Sequence, residues 1–429
     1  MPAMVVDAQR ERDRGLRRGT RQTGVRLYNE RLVLSLIRHR RALPKAEIAR
    51  LTGLSSTTIA EIVQRLETEG LLMKQEPQRG RIGQPPVPLS LNPDGALSLG
   101  VKIGRRRCDI LLMDFVGGVR SEMHRPYLSP RPRAVIEFIK EACDALIGGL
   151  PQDGRSRMAG IGIAAPPELW NREKDSGAAA HAIEEWRDFD LRAEVARFSE
   201  LPVYLCNDGI AGCAAEYIFG HASACQEFLY VFVAWFTGGG LVLNGNLFPG
   251  RSGHAGSLGQ MLVPTTGADG RLTVRQLQHV ASISVLERRV REAGGDPRPI
   301  WDDPDWAGVS SHIDGWIEEV AGGIAHALVS AGSLIDFQAA IIDGAMPPHI
   351  RPRIVHRVKE TFDRLERSGL PEFAIVEGQI GYRARAIGGA SLPLLAKFTR
   401  DRELLFHEPD DGRANNAMMH AGRPSAFKF

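Results

Sequence analysis

Residues 44–72, PKAEIARLTGLSSTTIAEIVQRLETEGLL, constrain this chain more than any other stretch. They read as two short helices joined by a tight turn. Pro44 suits the opening of the first helix, where a missing N–H costs nothing, and Ala46, Ile48, Ala49 and Leu51 give that helix an apolar side. Thr52-Gly53-Leu54 is the turn, with Gly53 free to take a positive φ. Ser55 is a natural N-cap for the second helix and Gly70 a natural stop. Inside that helix Ile59, Ile62, Val63 and Leu66 follow the i, i+3, i+4, i+7 rule and must face a core. The other face carries Thr57, Glu61, Gln64 and Arg65, with Ser56 at the tip. Short polar side chains at the start of a second helix are what a major-groove reader presents to base edges. On these residues alone an ordinary helical hairpin is the plainer alternative.

The flanking residues weigh against it. Over residues 29–41, Leu32, Val33, Leu36 and Ile37 mark an amphipathic helix ringed by Arg31, Arg38, Arg40 and Arg41, the third helix on which such a hairpin packs. Leu71-Leu72-Met73 reads as a short strand, and Val87, Leu89 and Leu91 alternate as a return strand. Between them the tip Gln78-Arg79-Gly80-Arg81-Ile82-Gly83-Gln84-Pro85-Pro86 is basic and glycine-rich. Strand, basic loop and strand after a recognition helix make a wing, with Arg79 and Arg81 placed to reach phosphates or the minor groove. The expectation is a winged helix-turn-helix over residues 25–92. Residues 1–24 are polar and Arg-rich without periodicity, read either as a disordered tail or as an arm adding phosphate contacts.

Charge divides along the same line. Residues 1–82 hold 17 Lys+Arg against 9 Asp+Glu, a net +8 within a chain that totals +3, so the remainder is about −5. A basic module on a mildly acidic body fits a nucleic-acid reader with a second task. No apolar run approaches the roughly 18–20 residues of a membrane span, so no membrane partner is expected. The seven arginines before residue 27 exclude a secretory signal. Five scattered cysteines, Cys108, Cys143, Cys206, Cys213 and Cys225, form no CxxC pair. A reducing cytoplasm is the simplest compartment.

Asn92-Pro93-Asp94-Gly95 is a turn signal and a domain boundary. Beyond it the pattern becomes strands alternating with helices. Strands are expected at 97–103, 108–115, 158–165, 202–206 and 339–342, with a hairpin at 229–234 and 240–243 around a glycine cluster. Helices are expected at 135–150, 209–220, 274–293, 310–333, 351–367 and 386–398. Two similar halves of this kind indicate a two-lobed α/β body over residues 96–400. Residues 401–429 read as a polar tail.

Several motifs in their order resemble the ROK family (repressors, open reading frames, kinases), specifically its transcriptional regulators. They are LTGLSSTTIAEIVQRLETEGLL, GRIGQPPVPLSLNPDGALSLGVKIG, Leu205-Cys206-Asn207-Asp208, Thr237-Gly238-Gly239-Gly240 with Asn244-Gly245, Gly253-His254-Ala255-Gly256-Ser257-Leu258-Gly259-Gln260, and Gly381 with Gly388-Gly389-Ala390. The resemblance covers roughly residues 25–400. It implies a winged helix-turn-helix followed by an actin/hexokinase-type body with a cleft between its lobes.

It also implies where the body departs from a sugar kinase. The family's first strand leads into an Asp-x-Gly-Gly-Thr-like turn, whose carboxylate serves a metal and whose backbone approaches phosphates. The matching residues here are Lys102-Ile103-Gly104-Arg105-Arg106. Lysine cannot hold Mg²⁺, whose ligands are oxygens, and phosphoryl transfer depends on that positioning and charge neutralisation. The base position survives as Asp208, after Asn207. The Glu-x-Gly-His segment of the family's sugar site becomes Ser257-Leu258-Gly259-Gln260, and residues 264–270 stand in for its zinc knot without a cysteine. No cofactor, metal or catalytic residue is therefore expected, and His254 reads as a loop histidine.

Asn207, Asp208, Ser257 and Gln260 are candidates for hydrogen bonds to a sugar, against the alternative of a decayed site. The trio Arg105, Arg106, Arg107 is either a solvated turn or a seat for an anionic effector such as a sugar phosphate. The expected partners are a double-stranded DNA operator and a sugar or sugar-phosphate effector, in a homodimer or homotetramer. The reading is a repressor of carbohydrate uptake or metabolism genes. A sugar kinase with a fused DNA-binding head, and a constitutive DNA binder whose body only oligomerises, are the alternatives.

Overall fold

The computed structural model describes residues 22–77, 86–166, 185–220, 225–266 and 270–399. The chain divides into two compact units, with the boundary between Gly95 and Ala96. Among the described residues no helix is long and apolar enough to cross a membrane.

The first unit holds helix α1 (Gln22–Arg40), strand β1 (Ala42–Pro44), α2 (Lys45–Thr52), α3 (Ser56–Thr68), β2 (Leu72–Lys74) and β3 (Pro88–Leu91). The two short helices form where the pattern places them. Gly53 takes φ 69° at the turn, and the Ser55 hydroxyl accepts the Thr58 N–H at 3.1 Å as N-cap. Ile59, Ile62, Val63 and Leu66 are all buried, together with Ile48 of α2 and Val33, Leu34 and Ile37 of α1. Each such side chain contributes about 1.5–3 kcal/mol of burial free energy. The strands pair antiparallel in the order β1-β3-β2, Leu72 opposite Leu91 and Ala42 opposite Ser90. Two readings are corrected. The first helix starts at Gln22 rather than Asn29, so the last residues assigned to a flexible arm over 1–24 are helical. Val25, Leu27 and Tyr28 of that extension are exposed, which is why no apolar periodicity announced it. β1 escaped notice because three residues carry no period.

The second unit contains two five-stranded sheets of one topology. The first lobe has β4 (Leu97–Ile103), β5 (Arg107–Asp114), β6 (Val119–Pro126), helix α4 (Pro132–Gly148), β7 (Met158–Ala165) and β8 (Val203–Asn207), followed by α5 (Asp208–Phe219). Its strand order is β6-β5-β4-β7-β8, antiparallel up to β4 and parallel beyond. The second lobe has β9 (Phe228–Val233), β10 (Gly238–Leu243) and β11 (Asn246–Leu247), then a separate hairpin of β12 (Leu262–Thr266) and β13 (Leu272–Gln276). It continues with α6 (Ile283–Glu292), α7 (Ser310–Gly332), β14 (Ala339–Gly344), α8 (Arg351–Arg364), β15 (Ala374–Glu377) and α9 (Ala384–Phe398). Its order is β11-β10-β9-β14-β15, the same meander-then-parallel arrangement.

Two separate cores result. In the first lobe Leu99, Val101, Ile161 and Ile163 pack on Val135, Phe138 and Ile139 of α4. In the second, Trp316, Val320, Ile324 and Leu328 of α7 pack under the sheet with Ile354 and Val358 of α8. The lobes exchange helices. α9 follows the last strand of the second lobe yet lies on the first sheet, where a methyl at Gly100 or Gly162 would overlap the carbonyl oxygens of Ala386 and Gly389. α5 follows the first lobe and lies against β10, where a Cβ on Gly240 would strike Cys213. The glycine runs are therefore points of close backbone approach that a side chain would fill.

The expected helix over 274–293 is corrected. Residues 272–276 are β13, and the helix begins only at Ile283. Val274 and Leu272 face solvent in the hairpin, so their apolar character reflected neither helical face nor core. β6 was also missed, because its residues are mostly exposed on an edge strand and show no apolar alternation.

Candidate DNA-binding face and effector cleft

Ser56, Thr57, Glu61 and Gln64 lie exposed on α3, on the side away from its buried residues. Thr57, Glu61 and Gln64 stand at i, i+4 and i+7, one continuous strip. Arg65 has another task. Its Nη1 holds the Oε1 of Glu30, a nearly buried carboxylate of α1, so it ties the recognition helix to its support. Arg79 and Arg81 lie outside the described residues.

In the second unit a cleft of about 750 Å³ gathers residues from both sheets. Lys102, Asp109, Asn207, Asp208, Ser257 and Gln260 all line it, with the three arginines 105–107. Strand β8 ends at Asn207, whose Oδ1 accepts the Gly209 N–H at 2.7 Å and caps α5. That use of its acceptor leaves the amide group, 3.5 Å from the Gly253 carbonyl, as its side toward a ligand. Ser257 is half-buried and Gln260 exposed, at the two ends of one short turn. His254 Nδ1 sits 2.7 Å from the Ser252 carbonyl, within its own loop.

The carboxylates of the first-lobe wall are each met by a cation. Lys102 Nζ lies 3.0 Å from Asp109 Oδ2, and Arg107 Nε 2.5 Å from Asp109 Oδ1. Arg385, on α9, donates to Asp208 Oδ2 at 2.6 Å and stacks over the Phe232 ring at 4.8 Å. Arg383 reaches Glu122 at 2.8 Å. Burial pushes the Lys102 ammonium below its ordinary pKa, against the pull of Asp109. Burial works against the Asp109 carboxylate too, but Lys102 and then Arg107 outweigh it and hold that group low. Among the described residues no group of three His, Cys, Asp or Glu is arranged to hold a metal ion.

All three arginines of the trio are engaged within the protein. Arg106 donates to the Leu128 carbonyl at 3.1 Å and to Glu287 Oε1 at 3.1 Å, and lies 5.0 Å over the Trp235 ring. Glu287 is buried in α6 and also accepts from Arg291 and from Trp301 Nε1. Sequence reasoning missed Arg385, Trp235, Trp301 and Glu287. Only their convergence in space marks them.

A family model described as "ROK family" matches residues 98–395, more than half of the chain. The chain belongs to the ROK family. A second model, winged helix-turn-helix DNA-binding, matches residues 26–73. The xylose repressor of Bacillus subtilis (strain 168) is 27% identical over 246 residues, 57% of this chain and 63% of that protein. The DNA-binding transcriptional dual regulator NagC of Escherichia coli (strain K12) is 24% identical over 62% of this chain and 65% of its own length. The chain thus matches a little under two thirds of these relatives. Among solved structures, a ROK family transcriptional regulator described as a homolog of the E. coli MLC protein gives a TM-score of 0.62 at 20% identity. That match covers 89% of this chain and 98% of that one. A ROK family glucokinase from Streptomyces griseus, in complex with glucose and AMPPNP, gives 0.54 at 21%, over 69% and 99%. At such identity these two likenesses speak to the ROK fold alone.

Proposed function

We propose that this ROK protein is a DNA-binding transcriptional regulator of carbohydrate genes, a repressor, whose body senses a sugar without phosphorylating it. The observation that carries the reading is the first-lobe wall of the cleft. Its described carboxylates, Asp109, Asp208 and Glu122, are each engaged by a cation of the same chain. A catalytic carboxylate must be open to a metal or to the proton it abstracts, and a lysine beside Asp109 repels a metal ion. A relative named as a xylose repressor and another named as a DNA-binding transcriptional dual regulator support the regulator reading.

Mechanistically, Thr57, Glu61 and Gln64 would read base edges, with Ser56 at the tip and Arg79 and Arg81 on phosphates or in the minor groove. Arg65 would act through Glu30, by fixing the angle of α3. A sugar bound at Asn207, Asp208, Ser257 and Gln260 would favour one lobe closure. In a cytoplasmic homodimer that closure would alter how two heads meet half-sites a helical turn or more apart.

The test is binding of the full chain to DNA upstream of its own transcription unit, titrated with sugars at fixed salt. Specific binding that one sugar weakens is the expected result. Thr57→Ala or Gln64→Ala should each cost about 1–3 kcal/mol and relax one base position. ADP release that depends on a sugar would instead make the body a kinase and sink the non-enzymatic reading.

A further inference from the structure

The exposed strip of α3 holds a free carboxylate on a module whose net charge otherwise draws it to phosphates. Glu61 stands exposed between Thr57 and Gln64. Among the acidic residues of α1, α2 and α3, Glu30 meets Arg65, Glu47 meets Arg50 and Glu67 meets Lys74. Glu61 alone has neither an ion pair nor a hydrogen bond among the described residues. A cation is close at hand. Arg65 lies four positions on, and Glu at i with a cation at i+4 is the favoured order for a helical pair. Arg65 instead crosses to Glu30 of α1 through its Nη1. Energetics explain the choice. Glu30 is only 8% exposed, and its second cation, Arg26, lies 3.9 Å away. A shielded carboxylate stripped of its partner costs far more than an exposed i, i+4 pair contributes. The fold thus takes from Glu61 the partner that its own helix supplies.

We propose that Glu61 is a specificity-determining residue that reads the N4 amino group of a cytosine, and that Glu30 keeps it free to do so by holding Arg65. The proposal rests on the DNA-binding reading of α3 and deepens it. A carboxylate presents acceptors only. In the major groove it meets the field of the phosphates, and the acceptors N7 and O6 of guanine or O4 of thymine, all of which repel it. Relief comes only from an exocyclic amino group. Cytosine offers its N4–H beside a C–H edge, which tolerates the second carboxylate oxygen. Adenine offers its N6–H beside the N7 lone pair, which opposes that oxygen. Glu61 therefore acts by attraction at one base pair and by repulsion elsewhere, and the repulsion weakens binding to random sequence. Arg65 swung back onto Glu61 would cancel both effects. Gln64, with a donor and an acceptor, suits adenine, so the two long side chains of the strip ask for different bases.

The experiment is selection from a randomised duplex library by the full chain at fixed salt, followed by titration of the selected site and of random duplex. Wild type should select at least one position where cytosine exceeds guanine by roughly 10-fold or more. In Glu61→Gln that position should lose its cytosine preference while the others keep theirs. Affinity for random duplex should rise about 3-fold, the gain shrinking as salt is raised. Glu30→Gln should relax the same position, by releasing Arg65 onto Glu61. The double variant Glu30→Gln/Arg65→Gln separates this from a changed helix angle. It lacks the brace as well, yet leaves no cation for Glu61, so the cytosine preference should return. Circular dichroism melts check that each variant is folded, and the exposed, conservative Glu61→Gln carries the test of the base even if Glu30→Gln melts early. An unchanged preference in Glu61→Gln overturns the assignment of Glu61, and loss of an adenine instead overturns the choice of base. A double variant as relaxed as Glu30→Gln overturns the role given to Glu30. Folded wild type that selects no sequence overturns the DNA-binding reading of α3 together with the proposal.

Discussion

The two lobes of the body share one strand order, yet the same turn carries opposite chemistry in each. Between the first and second strands of the first lobe the chain reads Gly104-Arg105-Arg106; between those of the second it reads Ala234-Trp235-Phe236-Thr237. Both turns line the cleft, and they meet there, with the Arg106 guanidinium over the Trp235 ring. Topology therefore fixes where a loop arrives, and side chains fix what it does on arrival. A cation facing an aromatic ring across the cleft makes a contact between lobes that needs no ligand.

Two predictions follow the strength of that contact downward, and two lie outside it. Glu287→Ala should have the largest effect. It strips the acceptor from Arg106, Arg291 and Trp301 at a fully buried site, and should lower stability by about 3–5 kcal/mol in urea melts. An effect below about 1 kcal/mol would mean that the two turns are not held through α6. Trp235→Ala should cost about 2 kcal/mol, through lost packing on Trp301 and the lost cation–π contact. Phe236→Ala, on the same turn but not beneath Arg106, offers the control.

Asp109→Asn should cost about 1–2 kcal/mol at neutral pH, because Lys102 loses its partner in a shielded site. Its pH dependence has a definite sign. The folded protein holds Asp109 below the ordinary carboxylate range, so it binds fewer protons there than the unfolded chain does. The stabilisation is then complete above about pH 4, the unfolded value, and is lost as pH falls through the lower folded one. Urea midpoints of wild type and variant should accordingly converge toward low pH, and a constant gap would show that Asp109 acts through packing. The smallest effect belongs to the DNA-binding unit, where Ser55→Ala removes one cap and should cost about 1 kcal/mol. DNA affinity should fall with it only as far as α3 frays, while sugar binding to isolated effector sites stays unchanged.

How far the sequence could be read varies with the range of the interaction. Strands β4 and β7, the glycine turn at Gly53 and the four buried residues of α3 were legible, because each is a local pattern. β6 and β13 were not, being edge strands whose exposed faces carry no period, and the helix expected from Val274 begins only at Ile283. In the candidate site, position and residue type were legible at Lys102, Asp208, Ser257 and Gln260. Their partners were not. Asp208 and Arg385 lie 177 positions apart, Arg106 and Glu287 181, and Glu30 and Arg65 35. A contact at such distance leaves no trace in any window of the sequence.

By itself, then, the sequence determined the order of most of the longer elements and the division into a basic head and an α/β body. Those follow from periodicity, turn residues and the chemistry of single side chains. Only the tertiary structure decided that Arg65 braces a helix, that Arg106 spans two turns, and that Asp109, Asp208 and Glu122 in the cleft are each met by a cation. The physical reason is that charge balance and burial belong to neighbourhoods in space, which the exchange of α5 and α9 between lobes assembles from remote parts of the chain.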